Sequence, residues 1–224
     1  MSGYRTHMLI GAVGGLGAYR IAEFLAPSTV AVRLTVGSSA VVVPSLVVGL
    51  TSALVSAYMA LWPDIDERGS YVSNRAPRYM WLWAGMLALC FAVSVTQSIL
   101  FILVICLAGA IAGRIGVGLF LYILRIASGG HRHLTHSLVL GFALFIGSGV
   151  LYVSGLPAMA LPAFALAWGQ MMHLVGDMVT PGGVPLFYPL SSRDIHLFPY
   201  AISRHGELLI ACFSFVAGIF FLWV

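Results

Sequence analysis

Histidine and acidic residues in this chain concentrate in five short polar segments, which are separated by long apolar runs. The segments are Thr6-His7, Asp64 to Glu67, HRHLTHS at 131–137, His173 with Asp177, and the stretch from Asp194 to Glu207. Imidazole and carboxylate groups are ligands that zinc and related metals take from proteins. Ionisable groups near a bilayer cost free energy unless they are paired or bound, so such residues indicate a functional site. Together these residues suggest a metal site.

The spacing of His173 and Asp177 is compatible with binding of a metal ion by both side chains. On a helix, side chains four residues apart project from one face and can bind the same or adjacent metal ions. The alternative is a hydrogen bond between the two side chains near a helix end. Both interpretations remain open for this pair.

The other segments also have simpler interpretations. Asp64 and Asp66 follow a proline, where aspartate commonly caps or turns the chain. HRHLTHS is compatible with a solvated interfacial loop, and His7 alone is compatible with an ordinary interfacial histidine. Metal is favoured by all these groups together rather than by any one of them, because the predicted membrane spans bring them to the same membrane face.

Composition determines the predicted fold class. Hydrophobic residues make up 60% of the chain and charged residues 8%, and several apolar runs approach the ~20 residues needed to span a bilayer. The sequence therefore predicts an all-α, polytopic membrane bundle, with a single domain over residues 1–224. The three cysteines lie apart in apolar runs and predict no disulfide framework.

Hydropathy and proline positions predict about seven transmembrane spans. They cover roughly 8–26, 38–62, 79–96, 98–125, 134–154, 157–178 and 206–224. The fourth is long and contains Arg114, so a break near residue 113 with an interfacial continuation is an alternative. Counting crossings brings all five polar segments to one membrane face. Most arginines fall on that face as well, which predicts that the N-terminus and the site are cytoplasmic.

The segments resemble a known family when they are taken in order. Thr6-His7, PDIDERGS at 63–70, GHRHLTHS at 130–137 and HLVGDMVTPGGVPLFYP at 173–189 resemble the YdjM-type inner-membrane proteins, a LexA-regulated family of metal-dependent hydrolases. The resemblance implies a helical fold related to zinc-dependent phospholipase C and single-strand nucleases. It also implies a bacterial or archaeal inner membrane as the location.

Site residues follow from the resemblance, position by position. The implied metal ligands are His7, Asp64, Asp66, His131, His136, His173 and Asp177. The implied catalytic residues are Arg132, Asp66 and Ser137, accompanied by Thr180. His133 stands where the family usually has glycine, so an additional or exchanged ligand there stays open. Residues 79–125 look like an inserted membrane hairpin.

The predicted chemistry is metal-assisted hydrolysis of a phosphoester. Mixed histidine and carboxylate ligands without nearby cysteine predict one to three zinc ions, with manganese or iron as alternatives. Arg132 would clamp a phosphate oxygen or stabilise developing negative charge. A site at the mouth of a helical bundle meets lipid headgroups, so the predicted substrate is a membrane lipid or a lipid-linked phosphate, with no nucleic acid partner.

Two other function classes could use the same histidines and aspartates, namely a metalloprotease and a metal-binding protein or transporter. An intramembrane metalloprotease is disfavoured because the chain has no HExxH helix. A non-enzymatic metal-binding protein, or a metal or proton transporter, would use the same histidines and aspartates. A transporter is expected to place such groups near the bilayer midplane, whereas these lie at the ends of spans.

Overall fold

Helices make up most of the described chain. A computed structural model describes residues 3–25, 27, 33–36, 39–67, 69–96, 98–127, 133–203 and 205–223. The helices are α1 (Tyr4–Leu25), α2 (Ser45–Met59), α3 (Tyr71–Val95), α4 (Ile99–Ala127), α5 (Leu138–Val153), α6 (Pro157–Met178), α7 (Tyr200–Ser203) and α8 (Gly206–Trp223). Two 3₁₀ helices, Trp62–Asp66 and Leu134–His136, precede α3 and α5. The predicted all-α class is confirmed.

Within the described ranges, four helical segments are long and apolar enough to cross a membrane. They are Tyr4–Leu25, Ser45–Asp66, Ile99–Ala127 and Gly206–Trp223. Arg78–Val93 and Leu138–Val153 are shorter apolar helices. Large apolar side chains such as Leu100, Ile115 and Phe213 are exposed on these helices, as a surface facing lipid requires. Helix α4 runs past Arg114 without a break, so the alternative break near residue 113 is not observed.

A pair of short antiparallel strands lies between α1 and α2. Strand β1 (Arg33–Val36) pairs with β2 (Ser39–Val42) so that Arg33 opposes Val42 and Val36 opposes Ser39. The second span was predicted to begin at residue 38, and this start is wrong because β2 occupies that region. Helix α2 begins at Ser45, directly after Pro44. Proline has no backbone N–H and a fixed φ, which suits the start of a helix rather than its interior.

Small residues allow α1, α2 and α6 to pack closely together. A Cβ added at Gly15 of α1 would overlap the backbone oxygen of Ser52, and one at Gly169 of α6 would overlap that of Ser56. Close approach through small residues is typical of membrane helices. The packing aligns the start of α1 with the ends of α2 and α6, which brings the polar segments of all three helices together.

Helices α3 and α4 form a second closely packed pair. Gly109 and Gly113 of α4 lie directly against Ala88 and Ala84 of α3. An apolar cluster joins the pair to the 3₁₀ helix after α2, and it consists of Leu61, Ile65, Val72, Val117 and Leu121. The idea that this pair is an insertion stays a prediction.

Candidate metal centre

Five histidine and aspartate side chains meet at one end of the bundle. His7 comes from the first turns of α1, Asp64 from the first 3₁₀ helix, His136 from the second, and His173 and Asp177 from the last turns of α6. The side chains of four are fully buried, and that of Asp64 is 15% exposed. We refer to these five residues as the His/Asp cluster.

Each histidine of the cluster presents its Nε2 atom to a carboxylate oxygen. Asp177 Oδ1 lies 3.4 Å from His7 Nε2, and Asp177 Oδ2 lies 3.5 Å from His173 Nε2. Asp64 Oδ1 lies 3.4 Å from His136 Nε2. These distances exceed the usual N–H···O range of about 2.7–3.2 Å. They match the separation of about 3.3 Å between neighbouring ligand atoms around a tetrahedral zinc ion with bonds of about 2.0–2.1 Å.

A backbone contact fixes the tautomer of His173. Its Nδ1 lies 2.7 Å from the carbonyl oxygen of Ala60, just beyond the end of α2. A carbonyl oxygen only accepts, so Nδ1 carries the proton and donates it. A neutral His173 ring therefore presents the lone pair of Nε2 to the carboxylates. Metal-binding histidines are commonly oriented by such a contact to their other nitrogen.

A threonine orients His136 in the same way. Thr135 Oγ1 donates to Asp66 Oδ2 at 2.8 Å and lies 3.1 Å from His136 Nδ1. Because the hydroxyl has a single proton, which it gives to Asp66, the His136 Nδ1 must be the donor in the second contact. His136 then presents the Nε2 lone pair to Asp64. Gln170 Nε2 donates to the Thr135 carbonyl oxygen at 2.7 Å and holds this turn against α6.

Several polar atoms of the cluster are buried without a hydrogen-bond partner among the described residues. In the described part of the chain, Asp64 Oδ1 and both carboxylate oxygens of Asp177 are buried without a hydrogen-bond partner, as is His173 Nε2. Lone pairs that face one another in a buried space are unfavourable unless a positive charge lies between them. Burial lowers the pKa of His136, although the nearby carboxylate of Asp64 acts in the opposite direction, and the lowered pKa favours the neutral form that binds metals.

The ligand atoms form two overlapping sets. One set is His7, His173 and Asp177, and the other is Asp64, His136 and His173, with the atoms of each set within 4.8 Å of one another. His173 Nε2 is common to both, and a single nitrogen lone pair binds one ion. Asp177 directs Oδ1 toward His7 and Oδ2 toward His173, so its carboxylate can chelate one ion or bridge two.

The remaining predicted site residues lie around the cluster or outside the described residues. Asp66 contacts Thr135 rather than the cluster. Ser137 donates its hydroxyl to the Leu134 carbonyl oxygen at 2.8 Å, which closes the 3₁₀ turn, and Thr180 donates to the Asp177 carbonyl oxygen at 2.9 Å. The His133 ring stacks on Tyr188 with centroids 4.8 Å apart. His131 and Arg132 fall outside the described residues.

Three residues of this region escaped the sequence analysis. Ala60 acts through its backbone oxygen, so its side chain gave no signal. Thr135 lies within HRHLTHS, and a threonine beside three histidines gives no specific sequence signal of a hydrogen bond to one of them. Gln170 did carry a signal, because it is an amide one turn before His173 in a largely apolar run, and the structure buries it fully. Buried amides require hydrogen-bond partners, so its spacing pointed to the same face.

Comparison with known proteins supports the resemblance seen in the sequence. The family described as YdjM inner membrane protein matches residues 1–223. Inner membrane protein YdjM of Escherichia coli (strain K12) is 35% identical over 96 residues, which cover 42% of this chain and 45% of that protein. The protein of the same name from Shigella flexneri gives the same values. The chain therefore matches less than half the length of these curated relatives. No solved structure matches the chain.

Proposed function

This chain belongs to the YdjM inner membrane protein family, and we propose that it is a membrane-embedded metal-dependent hydrolase. The observation that carries the proposal is the convergence of three imidazole Nε2 atoms on two buried carboxylates. Two of the three rings have their Nδ1 atoms engaged elsewhere, so their metal-binding lone pairs face the carboxylates. This arrangement supports a preorganised metal centre more directly than it supports an ordinary hydrogen-bonded core.

The five residues of the His/Asp cluster would hold the metal. Nitrogen and carboxylate ligands suit zinc, with manganese or iron as alternatives. A bound zinc-like ion supplies Lewis acidity and lowers the pKa of water to about 7. Asp64 has the only partly exposed side chain of the five, at 15%, so the open side of the centre adjoins Asp64 and water and substrate approach from there.

A phosphoester of a lipid, or a lipid-linked phosphate, is the proposed substrate. His7 lies at the start of Tyr4–Leu25 and Asp64 at the end of Ser45–Asp66, and both helical segments are long enough to span a bilayer, which supports a position near the depth of lipid headgroups. Arg132, four residues before His136, is the proposed phosphate clamp because a guanidinium matches two phosphate oxygens at once. Asp66 would support His136 through Thr135.

Elemental analysis combined with a hydrolysis screen tests the proposal. Protein purified in detergent without chelators should contain zinc or a similar metal and should hydrolyse at least one phosphoester or phospholipid. Asp177→Asn keeps the shape of the side chain but removes its charge, so both the metal and the hydrolysis should be lost. Glu23→Gln changes a carboxylate near the end of α1, whereas His7 lies at the start of that helix, and this variant should retain both.

The possible outcomes separate the function classes. An Asp177→Asn protein with full metal content and full activity would overturn the proposal. Bound metal without hydrolysis of any phosphoester would favour the alternative, a non-enzymatic metal-binding protein or a transporter that uses the same residues.

A further inference from the structure

The segment between α6 and α8, residues 181–203, folds back onto the bundle beside the His/Asp cluster. Val184 and Ile195 form two backbone hydrogen bonds of 3.2 and 2.9 Å, and Leu197 N donates to the Met178 carbonyl oxygen at 2.8 Å. Val184 and Leu186 are buried against Leu174 of α6. We refer to residues 181–203 as the site-end segment. It is fixed to the protein one residue from Asp177, at Met178.

The outer surface of the site-end segment carries several large apolar side chains, which lie on both sides of the exposed polar residues 191–194. Leu190 is 92% exposed, Tyr200 75% and Phe187 52%. Leu197, Phe198 and Ile202 are exposed as well. Proteins rarely present this many large apolar side chains to water on one short segment, and such a patch usually marks an interaction site. The buried residues of the segment already anchor it, so the exposed ones are not needed for its own packing.

Exposed apolar side chains are also found on the two helices beside the segment. At one side, beyond the exposed polar residues His205 and Glu207, Leu208 and Leu209 of α8 are exposed, and α8 is long enough to span a bilayer. At the other side, Leu138 N donates to the Leu186 carbonyl oxygen at 2.9 Å, and Val139 and Phe142 of α5 are exposed. A helix that crosses the bilayer ends at its polar boundary, so the segment lies at that boundary. Tyrosine and arginine are enriched at this depth, and the segment carries exposed Tyr200 and Arg193.

We propose that the site-end segment is a lipid-docking surface, with Phe187, Leu190 and Tyr200 inserted into the headgroup and acyl-chain boundary of the bilayer that the helices span. Its occupant is the lipid layer, because the segment extends the lipid-facing surface of α5 at the Leu138 contact and leads directly into α8, which is long enough to span a bilayer. Because the segment is anchored beside the metal centre, a lipid phosphate held there would reach the partly exposed side of the centre, at Asp64, laterally from the bilayer. This last consequence rests on the proposed function, whereas the insertion itself does not.

A depth measurement tests the insertion directly. Leu190→Cys is placed in a chain whose Cys90, Cys106 and Cys212 are replaced by Ala, labelled with the fluorophore NBD and reconstituted in phosphatidylcholine and phosphatidylglycerol vesicles. The label should emit at short wavelength and be quenched by lipids that carry a spin label near the headgroup. The matched control is Ser192→Cys, an exposed polar position two residues away, which should be quenched more strongly by aqueous iodide.

Each outcome of the depth measurement decides the proposal. Quenching at position 190 by iodide to the same extent as at position 192, with no quenching by lipid, would overturn it. Shielding from both quenchers would indicate a second copy of the chain or another protein as the occupant, and would also overturn it. If the Leu190→Cys protein fails to fold, Tyr200→Cys carries the same measurement with the same expected result.

An activity comparison tests the consequence for substrate access. Phe187→Ser combined with Leu190→Ser should lower kcat/KM for phospholipid in vesicles by about tenfold or more, since two apolar side chains no longer enter the lipid. Hydrolysis of a soluble short-chain phosphoester and the metal content should stay unchanged. An equal loss toward both substrates would contradict lateral access. Insertion without hydrolysis of any substrate would keep the docking surface and reject the proposed function.

Discussion

At the scale of single residues, hydrogen bonds to Nδ1 hold the rings of His136 and His173 in the orientation that the proposed metal centre needs. The Ala60 carbonyl oxygen holds Nδ1 of His173, and Thr135 holds Nδ1 of His136 while it donates to Asp66. Both contacts come from residues that lie outside the ligand set. Because such contacts fix the ring orientation and raise ligand basicity, removing one commonly weakens metal binding by about 10–100-fold.

Changing Thr135 tests the chain of contacts from Asp66 to His136. Thr135→Val keeps most of the shape but removes the hydroxyl, so zinc affinity should fall by about 10–100-fold. Thr135→Ser retains the hydroxyl and should bind zinc nearly as tightly as the unchanged protein. Titration of the purified protein with zinc against a competing chelator measures both affinities. Equal zinc affinity in the Val and Ser variants would contradict the role assigned to the hydroxyl.

Arg132 should separate substrate handling from metal binding. Arg132→Ala is expected to keep its metal, because guanidinium groups are not metal ligands, and to lose about 10²–10³ in turnover through the missing electrostatic partner. Elemental analysis and phosphoester hydrolysis are measured on the same preparation. Loss of the metal in this variant would instead indicate a structural role for Arg132.

The sequence was sufficient to select the five residues of the cluster but not to separate them from the polar residues around it. Asp64 and Asp66 look equivalent in the sequence, yet they occupy a 3₁₀ helix with about three residues per turn, so side chains two positions apart point in different directions. Asp64 consequently faces His136 and Asp66 faces Thr135. The support from Ala60 runs through the backbone, and a sequence carries no mark of it.

At the scale of secondary-structure elements, close packing between α1 and α6 determines the position of His7. A Cβ at Gly176 would lie 2.9 Å from His7 Nδ1 and 2.7 Å from Ile10 Cδ1, so only glycine allows α6 to approach α1 here. The His7 ring then stacks on His173 with centroids 4.1 Å apart. Helix packing, rather than a loop, therefore delivers His7 to the cluster.

Gly176→Ala should displace His7 and weaken the metal centre. We expect zinc affinity to fall by about tenfold or more, because one ligand ring no longer reaches its place. Gly147→Ala on α5 is the matched control, since nothing lies within 4 Å of the added Cβ there. Zinc titration and thermal unfolding in detergent are measured for both variants. Unchanged zinc affinity in Gly176→Ala would show that His7 is not held by this contact.

Helix positions were more predictable than helix boundaries. The apolar runs at 98–125 and 206–224 predicted helices α4 and α8 and their approximate ends, because length and hydropathy directly indicate a span. The residues from Ser39 to Val43 continue an apolar run and were assigned to the second span, but most of them form β2. Apolar β-branched residues favour strands as well as buried helices, and only Pro44 marked the boundary.

Topology brings the cluster together at the scale of the whole molecule. The start of α1, the end of α2 and the end of α6 share one end of the bundle, and Glu207 at the start of α8 accepts a hydrogen bond from the Gly3 backbone. Crossing counts predicted this arrangement because they depend only on how many spans separate two segments. Helix α5 runs from this end to Val153, so the exposed turn at Gly155 lies at the other end.

Reporter fusions test the side of the membrane on which the centre lies. The arginine distribution predicts that the centre is cytoplasmic. A fluorescent protein that matures only in the cytoplasm should fluoresce when it is fused to the N-terminus. Alkaline phosphatase inserted after Gly155 should be active, since that turn would face the periplasm. Activity of the phosphatase at the N-terminus, with none at Gly155, would place the centre on the outer side.

X-ray absorption at the zinc edge of the purified protein tests the metal centre most directly. The account predicts an ion coordinated by nitrogen and oxygen at about 2.0–2.2 Å, with outer-shell scattering from two or three imidazole rings and no sulfur. Asp177→Asn should lose this signal. Folded protein that takes up no zinc, manganese or iron, or zinc with sulfur ligands at about 2.3 Å, would contradict the claim that the His/Asp cluster is a metal centre.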